Sequence, residues 1–359
     1  MVYRAIGLMS GSSLDGLDIV FAELLENAGK WSYEILAADC YGYPAEWATR
    51  LKNATELNAR DYQLLHTEYG RYTGEQVNQF IQSHNLQYKV GVIGSHGHTT
   101  FHEPQNKMTG QIGDGAAIAA ATLLPVVSDL RALDVAFGGE GAPIVPIGEK
   151  LLLGDYSYFL NIGGIANISH NSEKYVAYDI CAANRVLNML AQETGKEYDA
   201  GGEMARSGNV IEELLEELNS FDYYKRPYPK SLANSFGIET IYPIFKKYDA
   251  SIRDLLRTYT EHIALQVSDA VETREGEQEL LATGGGALNT FLIERLQKLL
   301  KKKNVTVVVP DENLVKYKEA LIMALIAVLR WRGEYNVIST VTGAKRASIG
   351  GALWLGGEE

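Results

Sequence analysis

The chain has 359 residues, a formal net charge of −12 and only two cysteines, Cys40 and Cys181. Its length allows one large domain or two ordinary ones, and 46% hydrophobic with 22% charged residues is the balance of a soluble globular chain. The acidic charge argues against nucleic acid or an anionic membrane surface as partner, and two isolated cysteines exclude a disulfide framework and leave free thiols in a reducing cytoplasm as the expectation.

From the first residues, strand-like runs at 3–9 and 18–25 flank Gly11-Ser12-Ser13-Leu14-Asp15-Gly16, which predicts a β-hairpin with a small polar tip. Such a tip leaves backbone N–H groups unobstructed and adds hydroxyl donors, as a polyphosphate requires. It is not a P-loop, because Gly-x4-Gly-Lys-[ST] is absent. Arg4 is followed at once by the strand, so no signal peptide is expected.

A strand at 33–43, helices at 44–53 and 59–84 and a strand at 90–95 come next. The segment from Gly94 to His102 holds His96, His98 and His102. His96 and His98 share a face if extended, but no acid or Cys nearby completes a zinc set. After a helix at 116–122 and a strand at 125–129, Arg131 lies between Asp129 and Asp134. This is either a surface ion-pair cluster or a guanidinium able to clamp a carboxylate. Phe137 to Pro143 is rich in glycine and predicts a hinge.

A second hairpin is predicted from strands at 158–163 and 166–169, turning at Gly163-Gly164. A strand at 175–178 leads to Asp179, which reads either as a helix N-cap or as a carboxylate projecting into a cleft. Helices are predicted at 183–194, 210–218 and 251–273, and Glu212, Glu213, Glu216 and Glu217 form the wet face of the second. A strand at 279–282 runs into Gly284-Gly285-Gly286 and a helix at 290–302, whose terminal lysines complement its dipole. A strand at 305–310 and a helix at 317–332 close the chain, and the apolar stretch 320–329 is half the length of a membrane span. Two hairpins and a strand-glycine-helix loop make a nucleotide cradle. The rival, a Rossmann dehydrogenase, lacks Gly-x-Gly-x2-Gly after the first strand.

The segments MSGSSLDGLDIV, GSHGHTTFH, QIGDGAAIA, SDLRALDVAFGGEGAPIVP, NIGGIANIS, YDICAAN, YDAGGEMARSG, ATGGGALN and KEALIMALIA, in order from residue 9 to residue 327, resemble the 1,6-anhydro-N-acetylmuramic acid kinases of the actin-like ATPase superfamily. The resemblance implies a two-domain actin-like (ribonuclease H-like) α/β fold, with five-stranded mixed sheets around a cleft for ATP and substrate. The implied domains are 1–136 plus 343–359, and 137–342, closing about the 138–143 segment. The first hairpin is similar to the phosphate-1 segment, giving Gly11, Ser12, Ser13, Asp15, Gly16 and Asp18 to the nucleotide, with Asp15 holding Mg²⁺ through water. Asn161, Gly163, Gly164 and Asn167 match phosphate-2, and Gly284, Gly285, Gly286 and Asn289 the adenosine segment. Asp179 matches the general base, and His96, His98, Thr99, Asp129, Arg131, Asp134, Asn184 and Glu319 the substrate-binding positions. As a first-turn helix acid Glu319 would be unremarkable.

The implied reaction is ATP-dependent phosphorylation of the anhydro sugar with hydrolytic ring opening, in cytoplasmic cell-wall recycling, with a homodimer left open. Three departures stand out. His98 replaces the usual Gln. Asp179-Ile180-Cys181-Ala182-Ala183-Asn184 stands where the family has Asp-Thr-Gly-Pro-Gly-Asn, and alanine in place of glycine disfavours positive φ. Leu232-Ala233-Asn234-Ser235 replaces Thr-Gly-Arg-Glu after Lys230-Ser231. These changes keep two alternatives in view: a kinase for another amino sugar, or a non-catalytic nucleotide-binding regulator.

Overall fold

A computed structural model describes residues 1–11, 14–228, 230–233 and 235–357. Ser12 and Ser13, both expected at the phosphate tip, and Asn234 lie outside the described residues. The first strands are β1 (Val2–Ser10), β2 (Gly16–Asn27), β3 (Lys30–Gly42), β4 (Val92–Glu103), β5 (Met108–Ile112) and β6 (Val126–Ser128). They are followed by β7 (Tyr158–Ile162), β8 (Ile165–His170), β9 (Val176–Ala182), β10 (Gln278–Thr283), β11 (Val305–Val308) and β12 (Ala352–Trp354).

The chain divides into two compact units, Met1–Gly154 with Tyr317–Glu359, and Asp155–Lys316. The sheet of the first unit runs β12-β6-β4-β1-β2-β3, with β5 added to β4. The sheet of the second runs β11-β10-β7-β8-β9. Each contains an antiparallel meander, β1-β2-β3 or β7-β8-β9, whose first strand also pairs in parallel with a later one, β4 or β10. The expectation of five strands per sheet is met in the second unit, whereas β5 and β12 extend the first to seven among the described residues.

In the first unit the apolar residues of β1 and β2, among them Ile6, Leu8, Ile19 and Phe21, form a core with Val77 and Phe80 of helix Ala59–Ser83. Asn58 caps that helix by accepting from the Asp61 amide. Helix Glu312–Arg332 carries the apolar stretch as buried core, and no helix among the described residues is long and apolar enough to cross a membrane. Its backbone lies directly against the sheet, because a Cβ on Gly7 would press into Ala320 O and lie 2.7 Å from Ala324 N. Gly94 of β4 makes the same kind of approach to Met323. A nearly water-free ion pair, Lys318 Nζ to Glu149 Oε1 at 2.7 Å, ties helix Pro146–Leu152 to the same helix.

These contacts explain why residues 137–154 and 317–342, expected in the second domain, belong to the first unit. The expected hinge is likewise pinned within it. Asp134 accepts from Gly141 N and from Thr342 Oγ1, both at 2.8 Å.

In the second unit helix Ile252–Ala270 is the central core element, with Tyr259 and Ile263 among its fully buried side chains. Helix Glu212–Asn219 buries Leu214, Leu215 and Leu218 and exposes Glu212, Glu213 and Glu216, as its amphipathic pattern predicts. The predicted strand at 175–178 is longer than expected, because β9 continues through Asp179 to Ala182 by pairing with β8.

Candidate active site

In the first unit the hairpin tip follows Ser10, the last residue of β1, and Leu14 N returns to Gly11 O at 3.4 Å. Asp15 Oδ1 accepts from Gly16 N at 3.1 Å, bracing the turn. Asp18 faces Cys40 across β2 and β3. Burial, opposed by a hydrogen bond from the Cys40 side chain and reinforced by the charges of Asp15 and Glu319, pushes the Asp18 carboxyl up to about 6.

Beside the turn, a chain of hydroxyls leads to His98. Tyr43 Oη donates to Ser10 Oγ at 2.8 Å, and Ser10 Oγ lies 3.1 Å from His98 Nδ1. Accepting from Tyr43 leaves the Ser10 proton free for Nδ1, and in that arrangement the neutral His98 ring carries its own proton on Nε2 as a donor. Tyr69, 2.5 Å from Tyr43 Oη, supplies the proton that Tyr43 accepts. Burial holds the His98 pKa down, favouring the neutral ring.

His96 is differently committed. Its Nε2 accepts from Arg131 Nε at 2.9 Å, so its proton sits on Nδ1 and is donated to Gly97 O at 2.9 Å. Burial, then the Arg131 charge, push its pKa down to about 3. With both ring nitrogens occupied, His96 orients Arg131 and has no donor left for a sugar. Arg131 also donates through Nη1 to Gly141 O at 2.6 Å, and burial lowers its pKa to about 10, against the raising charges of Glu319 and Asp134.

The Glu319 side chain makes no hydrogen bond among the described residues, and burial raises its pKa. Asp129 is exposed, with Oδ2 accepting from Ser128 Oγ at 2.7 Å, and Thr99 is exposed on β4. Asp134 is 0% exposed and both its oxygens are used, so the expected sugar contact is replaced by a structural tie.

In the second unit, pairing aligns Thr283, Asn161, Asn167 and Asp179 as cross-strand partners on β10, β7, β8 and β9. Cross-strand partners share a sheet face, so two nucleotide candidates and the base candidate stand in one row. Asp179 lies inside β9, and the N-cap of helix Asn184–Gln192 is Ala183, which excludes the capping role. Its Oδ2 accepts from Leu232 N at 2.9 Å, while Oδ1 has no partner among the described residues. Burial raises its pKa, partly offset by that hydrogen bond. Its backbone is held by Lys230 O, which accepts from Asp179 N, and by Tyr223 Oη, which donates to Asp179 O at 2.7 Å.

The altered loop is accommodated without positive φ, since Ala183 adopts φ −134°. Asn184 serves the glycine turns more than an open surface: Nδ2 donates to Ile162 O at 2.9 Å and its amide donates to Gly163 O. Gly284, at φ +79°, packs its backbone against Asn161 and Ile162 O, which would lie 2.8 Å from a Cβ. Gly285 faces open space, with only Asn184 Nδ2 at 3.8 Å. Asn289 caps helix Thr290–Leu300 by accepting from Leu292 N at 3.0 Å, so its oxygen is committed. A pocket of ≈190 Å³ lined by Tyr178, Tyr224, Tyr228 and Lys230 adjoins the strand neighbours of Asp179, but not its carboxylate.

The sequence reading missed Tyr43, Tyr69, Tyr223 and Leu232 N. All of them act through long-range placement, for which no local motif exists.

The sequence profile of the anhydro-N-acetylmuramic acid kinase family matches residues 3–356. The chain belongs to this family. It is 33% identical to the anhydro-N-acetylmuramic acid kinase of Sulfurovum sp. (strain NBC37-1), over 98% of this chain and 99% of that protein. It is 35% identical to that of Aliivibrio fischeri, over 97% and 98% of the two chains. Among solved structures it is similar to component A of (R)-2-hydroxyglutaryl-CoA dehydratase from Acidaminococcus fermentans, with TM-score 0.46 and 17% identity over 90% of this chain and 97% of that one. Each of the two units is built on its own mixed α/β sheet, as the two-hairpin pattern of the sequence leads one to expect.

Proposed function

We propose that this kinase-family chain uses ATP and water to convert 1,6-anhydro-N-acetylmuramic acid to N-acetylmuramic acid 6-phosphate. The observation that carries the reading is the Asp179 carboxylate, held in mid-strand by Leu232 N with Oδ1 unpartnered. Asp179 takes a proton from water as the water oxygen bonds to the anomeric carbon. The bond from that carbon to the bridging oxygen breaks, and the freed oxygen attacks the γ-phosphorus, releasing ADP. The proton on Asp179 then passes to solvent.

The Gly11–Gly16 turn and the Gly163-Gly164 turn are the proposed phosphate contacts, and the Gly284–Gly286 loop the proposed adenosine contact. Arg131, oriented by His96, is the cation for the sugar's carboxylate. His98 Nε2–H, Thr99, Asp129 and Glu319 are its other proposed contacts.

No cluster among the described residues forms an all-protein metal cage, and Mg²⁺ on a nucleotide needs only one or two carboxylates beside phosphates and water. Asp15 and Asp18 fit that need as two neighbouring carboxylates at the turn: burial raises the Asp18 pKa and the Asp15 charge adds to the rise, and a bound cation would offset both. Bound there, Mg²⁺ would offset charge on the phosphate oxygens. The composition supports a cytoplasmic enzyme without nucleic-acid partners, and a homodimer is compatible with it.

ADP release measured with the anhydro sugar, with a panel of other amino sugars and with none tests the substrate. Release dependent on the anhydro sugar is expected. Equal or greater release with another amino sugar would favour an altered specificity through the 180–183 and 232–235 changes.

The pH profile gives a second check. A base must be deprotonated, and the Asp179 pKa is raised by burial. The acid limb of kcat/KM should therefore fall above the ordinary aspartate value of about 3.9, with activity lost as pH drops through it. Burial pushes the Asp18 carboxyl up to about 6 as well, so the profile is recorded in Asp18→Asn too. A limb that vanishes in that variant would assign it to Asp18 instead.

A further inference from the structure

We propose that Arg185 is an anion-binding residue that takes a phosphoryl oxygen of the bound nucleoside triphosphate beside the Gly163-Gly164 turn. The inference rests on the ATP-dependent reading above. Arg185 opens helix Asn184–Gln192, where the helix dipole opposes a cation, and the first turn contains no acid to offset it. Its Nε is buried and has no hydrogen-bond partner among the described residues. Arg131 has His96 and Gly141, and Lys318 has Glu149; Arg257 Nε is likewise unbonded, but its guanidinium lies near Glu261 and over the Phe291 ring, whereas no acid or ring stands against Arg185 among the described residues.

The guanidinium lies across Gly164. A Cβ there would be 3.5 Å from Arg185 Nε and 3.8 Å from Nη2, ordinary contact distances that place the guanidinium beside the turn backbone. The same turn is latched from behind, since Ala183 N donates to Gly164 O at 2.8 Å and Asn184 N to Gly163 O at 3.0 Å. A fixed turn and a guanidinium beside it whose Nε has no partner among the described residues form a charge-assisted donor set for phosphate oxygen. An unpaired buried Nε costs stability in the free protein, and a bound anion removes that cost. Arg185 thereby supplies a charge that the backbone donors of the glycine turn lack.

Calorimetry of the full chain with a non-hydrolysable ATP analogue, ADP, adenosine and inorganic phosphate tests this, using wild type, Arg185→Gln and Arg185→Lys. The glutamine variant should bind the ATP analogue about tenfold or more weakly, with adenosine affinity unchanged. The lysine variant should recover part of the loss, because it keeps the charge but not the fork. The melting temperature of the free glutamine variant should stay level or rise, whereas a structural arginine would leave it lower. Wild-type affinity for the analogue in Arg185→Gln would overturn the assignment while leaving the kinase reading intact. Equal losses for adenosine and the analogue would also overturn it. A wild-type protein that binds no nucleotide would remove the kinase reading and this inference with it. Tight binding of inorganic phosphate alone, lost in Arg185→Gln without change for the analogue, would make the site one for free phosphate and would overturn the nucleotide assignment.

Discussion

Asp179→Asn should reduce sugar phosphorylation by about 10²-fold or more, the usual scale for loss of a general base, with nucleotide affinity changed by less than about twofold. Asparagine keeps the shape of the side chain, and its amide oxygen can still accept from Leu232 N, the bond that Oδ2 now makes at 2.9 Å. Only the basic site is lost. Stability should not fall, because replacing a carboxylate whose pKa burial has raised with a neutral amide relieves desolvation. Steady-state kinetics with calorimetry of nucleotide binding reads both quantities. A variant that turns over near the wild-type rate would take Asp179 out of the chemistry and leave it as a strand residue latched to the 230–232 segment.

Gly7→Ala should destabilise the first unit by about 3 kcal/mol or more, at the upper end of overpacking costs. The new Cβ would meet the carbonyl of Ala320 and the Ala324 nitrogen at 2.7 Å, both backbone atoms of a buried helix that cannot rotate aside. The strand or the helix must move, and Gly7 lies only three residues before Ser10, so Ser10 and the His98 relay would shift with it. Gly42→Ala is the control, because its Cβ would make an ordinary 3.6 Å contact with Asp15 O. Urea denaturation should separate the two variants clearly. Equal midpoints would mean that the helix is not seated on β1 as described.

The glycine turns were legible because their chemistry is local. An apolar run, a Gly/Ser/Asp tip and a second apolar run specify a hairpin wherever they occur, and both hairpins stand where the residues place them. The additions to the first sheet were not legible. β12 pairs only Ala352, Leu353 and Trp354 with β6, and β5 depends on β4 continuing past Ser95. Short edge strands carry too few alternating residues to give a period.

The site was legible as a set of residues and not as a set of roles. His96 and His98 are two residues apart and look equivalent, yet Arg131 occupies one and Ser10 orients the other. Asp134 looks like a second sugar acid beside Asp129, but Gly141 and Thr342 take its oxygens. Asp179 looked as much like a cap as a base until pairing with Asn167 placed it inside β9. Each of these roles is decided by partners far away in sequence, which local spacing cannot encode.

The most direct measurement is phosphorus and proton NMR of the reaction of the wild-type protein with ATP, Mg²⁺ and 1,6-anhydro-N-acetylmuramic acid. The expected result is one sugar 6-phosphate with an opened, reducing end for each ADP formed, and no ADP above background without the sugar. ATP binding with no sugar-dependent turnover, or a phosphorylated sugar whose anhydro ring is still closed, would contradict the proposed role of Asp179 in coupling ring opening to phosphoryl transfer.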